Sequence, residues 1–379
     1  IKAMLDEQGS SMKVIAKIEN AEGIENLDAI IEAADGIMVA RGDMGVEIPA
    51  EKVPHIQKKI IRKCNEACKI VITATQMLDS MMKHPRPTRA ETTDVANAVY
   101  DGTSAIMLSG ETAAGDYPVE ALQTMVKIAS RTEQDINYMS RLKKRGILTN
   151  PDITNAIAHA TCTTAMDLNA SAIITVSNSG RTARMVSKYR PACPIIGCSV
   201  NEDVCRKLNM SWGVTPLLVE LKHNSDELFD HAVDKAEEMG LIEQGEIVVL
   251  TAGVPLGISG TTNMIKVHVA GHILMQGKGL TDRTAAANLC VISSPEELKE
   301  KFKEGDIIVA KDTSNEMMEQ IRLASGLIIE NDNVDCHGAI AGLSLDLPVL
   351  IGAENATQIL KSGAFVTLDG KKGIVSCNN

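Results

Sequence analysis

Residues 13–43 read KVIAKIENAEGIENLDAIIEAADGIMVARGD, and the parsing of this stretch decides the fold. Val14, Ile15 and Ile18 belong to one apolar run, and Ile37, Met38, Val39 and Ala40 form another. Between them, apolar residues recur at 24, 27, 30, 31 and 34, the stripe of a helix. The reading is strand, helix, strand. Each apolar run finishes in charge: Lys17 and Glu19 in the first, Arg41 and Asp43 in the second. Burying such charges is costly unless they pair or bind a cation. In parallel α/β folds the C-terminal ends of strands are where ligands sit. The question is what ligand needs an ammonium and two carboxylates.

The pattern repeats outward. EKVPHIQKKIIRKCNEAC (51–68) is an amphipathic helix and KIVITATQML (69–78) a strand. RAETTDVANAVYDG (89–102) carries a helix that stops at Asp101-Gly102. SAIMLSGET (104–112) is a fourth strand, and PVEALQTMVKIASRTEQDI (118–136) a helix with Pro118 in its first turn. Four βα units in a row imply a right-handed parallel sheet covered by helices. The polar ends KIEN, ARGD, TATQ and SGET on one rim suit a (β/α) barrel, of which four strands are half. The chain opens with Ile1 inside an apparent helix, IKAMLDEQG, so further structure upstream is expected.

Beyond residue 137 the helices DITNAIAHATCTTAMDL, GRTARMVSKY, NEDVCRKLNM and SDELFDHAVDKAEEMGL alternate with the strands ASAIITVS, CPIIGCSV, VTPLLVEL and GEIVVLTAG. This is an open, doubly wound α/β domain. Two of its loops are rich in glycine and hydroxyls. SNSGRT offers Ser177, Asn178, Ser179, Gly180, Arg181 and Thr182 at a helix start, a ready phosphate cradle, although ordinary helix capping uses the same residue types. PLGISGTTN offers Gly257, Ser259, Gly260 and Thr261.

Composition narrows the function classes. The 38 Lys and Arg against 49 Asp and Glu give a net charge of −11, which argues against a nucleic-acid or anionic-membrane binder. Aromatics are only 2%, leaving few stacking platforms for single strands. No run reaches transmembrane length and no signal peptide opens the chain, so a cytoplasmic protein is expected. The nine scattered cysteines lack paired CxxC spacing and read as reduced, small core residues.

The stretches KIENAEGIENLDAIIEAADGIMVARGDMGVEIPAEKVP (17–54) and VITATQMLDSMMKHPRPTRAETTDVANAVYDGTSAIMLSGETAAGDYP (71–118) resemble the pyruvate kinases, densely and in order. The resemblance implies that residues 1–137 are the last four strands of an eight-stranded TIM barrel, without the first four or the lid domain. Residues 138–277 resemble the family's α/β effector domain. KEGDIIVAKDTSNEMMEQIRLASGLIIENDNVDCHGAIAGLSLDLPVLIGAENATQILKSGAFVTLDGKKGIV, within 278–379, resembles the swivelling phosphohistidine β/β/α domain of phosphoenolpyruvate-utilising enzymes.

Carried over by motif, Lys17 stabilises charge on the transferred phosphoryl group and the enolate, and Glu19 with Asp43 holds Mg²⁺ or Mn²⁺. Thr75 takes part in protonating the enolate, and Gly42 and Asp43 offer backbone N–H groups to the substrate carboxylate. Without the motif, Lys17 and Glu19 would read equally well as a rim ion pair. The physical fit is good: two carboxylates suit Mg²⁺, and phosphoryl transfer needs positioning and charge neutralisation. The resemblance also implies K⁺, with ligands in the absent half. It implies phosphoenolpyruvate, ADP, ATP and pyruvate as substrates and products, and a homo-tetramer for the intact protein. It places HPRPTRAE, with Arg86 and Arg89, at subunit contacts and near the active site. The family's two effector loops match 177–182 and 255–263. The Trp and Arg that fructose-1,6-bisphosphate-regulated relatives carry in the helix SDELFDHAVDKAEEM are missing, so a phosphorylated monosaccharide or AMP is the expected effector.

In the third domain the marker His is His337, preceded by Cys336, and the long swinging linkers are missing. A packing module and a phosphohistidine are both open there. Two rival functions are weighed: a metal-dependent aldolase or lyase on a related barrel, and a non-catalytic sugar-phosphate binder. The ordered TATQ, PRPTRAE and SGETA motifs speak against the first. The 379-residue chain by itself is expected to be inactive.

Overall fold

A computed structural model describes residues 1–145, 152–222, 224–243, 245–253, 262–271 and 273–376. Packing divides the chain into two compact units, residues 1–232 with 248–267 and residues 233–247 with 268–379.

The first sheet contains β1 (Ile15–Ile18), β2 (Gly36–Ala40), β3 (Ile70–Ala74) and β4 (Ala105–Met107), in that order and all parallel. Helices cover it as the periodicity predicts. Val53–Glu66 buries Ile60, Ile61 and Cys64 against Ile37, Val39 and Val71 of the strands. Arg89–Asp101 starts at a capping box of Thr88 and Glu91 and stops at Gly102, whose φ of 90° is the left-handed conformation that ends helices.

Three local expectations change. The helix expected over 22–34 is two, Ala21–Glu25 and Leu27–Ala33, split at Asn26. The Asn26 amide donates to Glu22 O at 3.0 Å, a side-chain bond that competes with the helix. The strands also end sooner than the apolar runs suggest. Arg41–Glu47 and Gly110–Ala113 are helices, so ARGD and SGET form helix starts rather than strand ends. Asp43 thereby gains the first turn of a helix, where a carboxylate is favoured.

The second sheet comprises β5 (Ala172–Val176), β6 (Ile195–Ser199), β7 (Val214–Leu218), β8 (Ile247–Gly253) and β9 (Thr262–Val269), in the order β7-β6-β5-β8-β9. β5 is parallel to both β6 and β8. The chain winds outward from β5 to β7 and returns on the other side at β8, so β5/β8 is the switch point where such sheets bind ligands. The helix Tyr138–Arg145 and strand β9 go beyond the sequence reading.

The third sheet holds β10 (Ile273–Gln276), β11 (Lys278–Gly279), β12 (Thr284–Val291), β13 (Ile307–Ala310), β14 (Gly326–Ile329), β15 (Val349–Ile351), β16 (Phe365–Asp369) and β17 (Ile374–Ser376). β12 serves two neighbours: Thr284–Asn288 runs antiparallel to β16, and Leu289–Val291 parallel to β13. Apolar clusters line both faces, one around Ile308, Leu327 and Ile329, the other around Ile307, Val309 and Ile328. β10 pairs with β17, so this sheet begins ahead of residue 278.

All eight described cysteines are free thiols, six of them buried, and Cys377 lies outside the described residues. Burial pushes the thiols of Cys64 and Cys198 up to about 12. Among the described residues no helix is long and apolar enough to cross a membrane.

Gly36 offers a test of the sheet packing. A Cβ there would lie 2.7 Å from Ile15 Cδ1 and 2.9 Å from the Ile70 carbonyl oxygen. Gly36→Ala is expected to destabilise unit one by about 1–3 kcal/mol through overpacking. Urea titration followed by amide exchange at β2 measures this, and an unchanged midpoint would contradict the close three-strand packing.

Candidate active site

Lys17 and Glu19 are two residues apart at the end of β1, which turns both side chains to the same side while Ile18 enters the core at 1% exposure. Asp43 reaches the same point from the helix that follows β2. The Lys17 ammonium lies 2.5 Å from Glu19 Oε2 and 2.9 Å from Asp43 Oδ2. Hydrogen bonding to Glu19 and then to Asp43 raises the lysine's affinity for its proton. The hydrogen bond from Lys17 holds the Asp43 carboxyl below its ordinary range. The side chains of Lys17, Glu19 and Asp43 are 48%, 40% and 60% exposed. Ion pairs this exposed add little stability, so structural need is a poor explanation for concentrating three charges here.

Thr75 follows directly on β3, and it and Gln76 have φ of 71° and 52°. A β-branched residue in the left-handed region is an outlier, and each such residue costs on the order of 1–3 kcal/mol. The Thr75 hydroxyl donates to Ala74 O at 2.6 Å and accepts the Gly42 N–H at 2.8 Å. β3 is thus tied to the start of the Asp43 helix.

Three supporting residues went unassigned in the sequence reading. The Arg41 guanidinium reaches Ala74 O, Thr75 O and Asp94. Glu111 of SGET is buried and accepts the N–H groups of Leu78 and Ser109 at 3.0 and 2.7 Å. Glu91 accepts from both Ser80 and Thr88; burial pushes its pKa up, but these bonds outweigh burial and hold it low. The acid of the strand-end motif SGET is the sequence signal for Glu111. Nothing in the sequence connects Arg41 with Asp94. Arg86 and Arg89 are exposed.

Glu19 and Asp43 share one ammonium and form a two-carboxylate donor set. Among the described residues there is no cluster of three or more His, Cys, Asp or Glu suited to a metal. Two hard oxygen donors fit Mg²⁺, which keeps waters and substrate oxygens in its other positions, and do not fit a soft thiolate- or imidazole-seeking ion.

The second candidate loop starts the helix Arg181–Tyr189 through Gly180, with φ of 69°. A Cβ at Gly180 would meet Leu208 and Val204 at 3.0 Å, so glycine is needed there on both counts. Asn178 and Arg181 are exposed. Thr182 is 4% exposed and its hydroxyl is bonded to that of Thr262 at 2.8 Å, so it braces β9 rather than facing an open cradle. Gly257, Ser259, Gly260 and Thr261 lie outside the described residues.

His337 opens the helix His337–Ser344, capped by the Cys336 sulfur, which accepts from Ala339 N at 3.4 Å. Both ring nitrogens are engaged: Nδ1 with Thr313 Oγ1 at 2.7 Å and Nε2 with Asn315 Oδ1 at 3.0 Å.

The linkage between Lys17 and Asp43 is open to titration. With its pKa depressed in the folded state, Asp43 favours folding above the ordinary carboxylate range and loses that contribution as pH falls. Lys17→Met is expected to move the Asp43 midpoint upward, toward an unpaired carboxylate, in a carboxyl-carbon NMR titration. An unmoved midpoint would contradict the pairing.

Comparison with known proteins places the domains. Residues 1–122 match the family model for the pyruvate kinase barrel domain and 155–268 that for the pyruvate kinase alpha/beta domain. Residues 302–373 match the mobile domain of PEP-utilising enzymes. The chain is 48% identical over 376 residues to the pyruvate kinase of Bacillus licheniformis, covering 99% of the chain and 64% of that enzyme. It is 50% identical over 364 residues to that of Geobacillus stearothermophilus, covering 96% of the chain and 62% of that enzyme. A solved pyruvate kinase from Cryptosporidium parvum superposes with a TM-score of 0.64 at 43% identity, over 69% of this chain and 52% of that one. The chain therefore spans about 64% of the length of the bacterial enzyme it matches. The chain belongs to the pyruvate kinase family.

Proposed function

We propose that the protein containing this chain transfers the phosphoryl group of phosphoenolpyruvate to ADP, giving pyruvate and ATP. The observation that carries the reading is the Lys17 ammonium set between Glu19 and Asp43, beside the Gly42–Thr75 contact. Lys17 meets the oxygens of the phosphoryl group and then the enolate oxygen, a point charge at the place where negative charge moves. The N–H groups of Gly42 and Asp43, at a helix start, receive the substrate carboxylate; the Gly42 N–H exchanges its bond to Thr75 Oγ1 for one to that carboxylate. That exchange frees a lone pair on Thr75 Oγ1, so the hydroxyl can relay: it accepts a proton from solvent as the proton it now donates to Ala74 O passes to the enolate carbon. Mg²⁺, when held by Glu19 and Asp43, supplies charge neutralisation for the transferred group. K⁺ is proposed on family grounds alone.

Exposed Asn178 and Arg181, half-buried Ser177 and Ser179, and left-handed Gly180 support the reading of 177–182 as an effector loop for a phosphorylated monosaccharide or AMP, with Thr182 as its inner brace. A homo-oligomer, as a tetramer in the cytoplasm, completes the proposal. His337 fits a structural role better than a phosphate relay, because both nitrogens already hold the loop 313–315.

In the full-length protein, Lys17→Met is expected to reduce turnover about a thousandfold or more without unfolding the chain. A variant that retains a tenth of wild-type turnover refutes the role. Glu19→Gln and Asp43→Asn are each expected to raise the Mg²⁺ concentration needed for half-maximal rate, and an unchanged midpoint in both removes the metal assignment.

A further inference from the structure

Arg41 begins the helix that carries Gly42 and Asp43, yet its side chain points back over the end of β3. Nε donates to Ala74 O at 3.3 Å. One terminal nitrogen donates to Thr75 O at 2.7 Å and to Met77 Sδ at 2.8 Å. The other donates to Gln57 Oε1 at 3.4 Å and lies 2.6 Å from Asp94 Oδ2. Gln76 O also lies 3.5 Å from the first of these terminal nitrogens, so the five N–H donors of the guanidinium face at least as many acceptors. The side chain is 10% exposed, so no donor is left for a substrate.

The carbonyls it holds flank Thr75, the residue with φ of 71°. A left-handed threonine persists only where its surroundings over-determine it. Here they do so from both sides. Arg41 captures the carbonyls of residues 74 and 75, and the Gly42 N–H captures the Thr75 hydroxyl. Asp94, on the helix Arg89–Asp101, holds the guanidinium from behind.

We propose that Arg41 is a positioning residue that acts through Thr75: its guanidinium, anchored by Asp94, keeps the turn after β3 in the left-handed form that aims the Thr75 hydroxyl at the reacting carbon. The proposal rests on the phosphoryl-transfer reading for its kinetic consequence, but not for the clamp itself. Lysine cannot replace arginine here, because a single ammonium cannot span these acceptors.

The test uses Arg41→Lys, Asp94→Asn, Thr75→Ala and the double variant Arg41→Lys/Thr75→Ala in the full-length protein, with two readouts. Amide exchange at residues 75–78 is expected to speed up about tenfold or more in Arg41→Lys and less in Asp94→Asn, with β5 unchanged as a folding control. Arg41→Lys is expected to lower kcat about tenfold or more, since small misplacements of a reacting group are costly, but less than about twofold when Thr75 is already alanine. Unchanged exchange at 75–78 in both variants overturns the clamp. A penalty undiminished in the Thr75→Ala background overturns action through Thr75. Absence of phosphoryl transfer in the wild type removes the function proposed above, and the exchange readout then decides the clamp independently.

Discussion

The register of three parallel strands is the constraint on which the site depends. Ile18 pairs with Val39, and Ala40 with Ala74, so the chain leaves β1, β2 and β3 at one level. A slip of one residue in β1 would send Lys17 and Glu19 into the apolar cluster and Ile18 into solvent. The apolar alternation that sets the register therefore also sets the chemistry. The two carboxylates meet the ammonium because Ile18, Ile37, Val39 and Val71 have only one way to be buried together.

Much of this was legible. The run-helix-run pattern of 13–43 gives the βα unit, and its repetition gives the parallel sheet. Lys17 and Glu19 at the end of an apolar run mark a rim before any family is invoked. What the sequence concealed depends on distant partners. ARGD reads as the end of a strand because Val39 and Ala40 precede it, yet Arg41 starts a helix and its side chain pairs with Asp94, 53 residues away. Thr182 reads as a cradle hydroxyl because it follows Gly180, but it packs inward against Thr262. Local pattern reports which face is apolar; it does not report which polar atom a buried hydroxyl will meet.

The third domain shows how fold and function separate. Gly338 leaves no room for a side chain, since a Cβ would approach Ile329 within 2.8 Å, so the helix start carrying His337 is packed tightly on β14. The His337 ring has both nitrogens tied, to Thr313 and Asn315. The match to the PEP-utilising mobile domain fixes the architecture of 302–373.

Lys17, Glu19, Asp43 and Thr75 are proposed to form one metal-assisted phosphoryl-transfer site. The most direct measurement is paramagnetic broadening of backbone amide signals by Mn²⁺ in the presence of phosphoenolpyruvate, using the full-length protein. Broadening is expected to centre on residues 17–19, 42–43 and 75 and to be abolished together in the Glu19→Gln/Asp43→Asn double variant. Broadening centred elsewhere, or unchanged in that double variant, would contradict it.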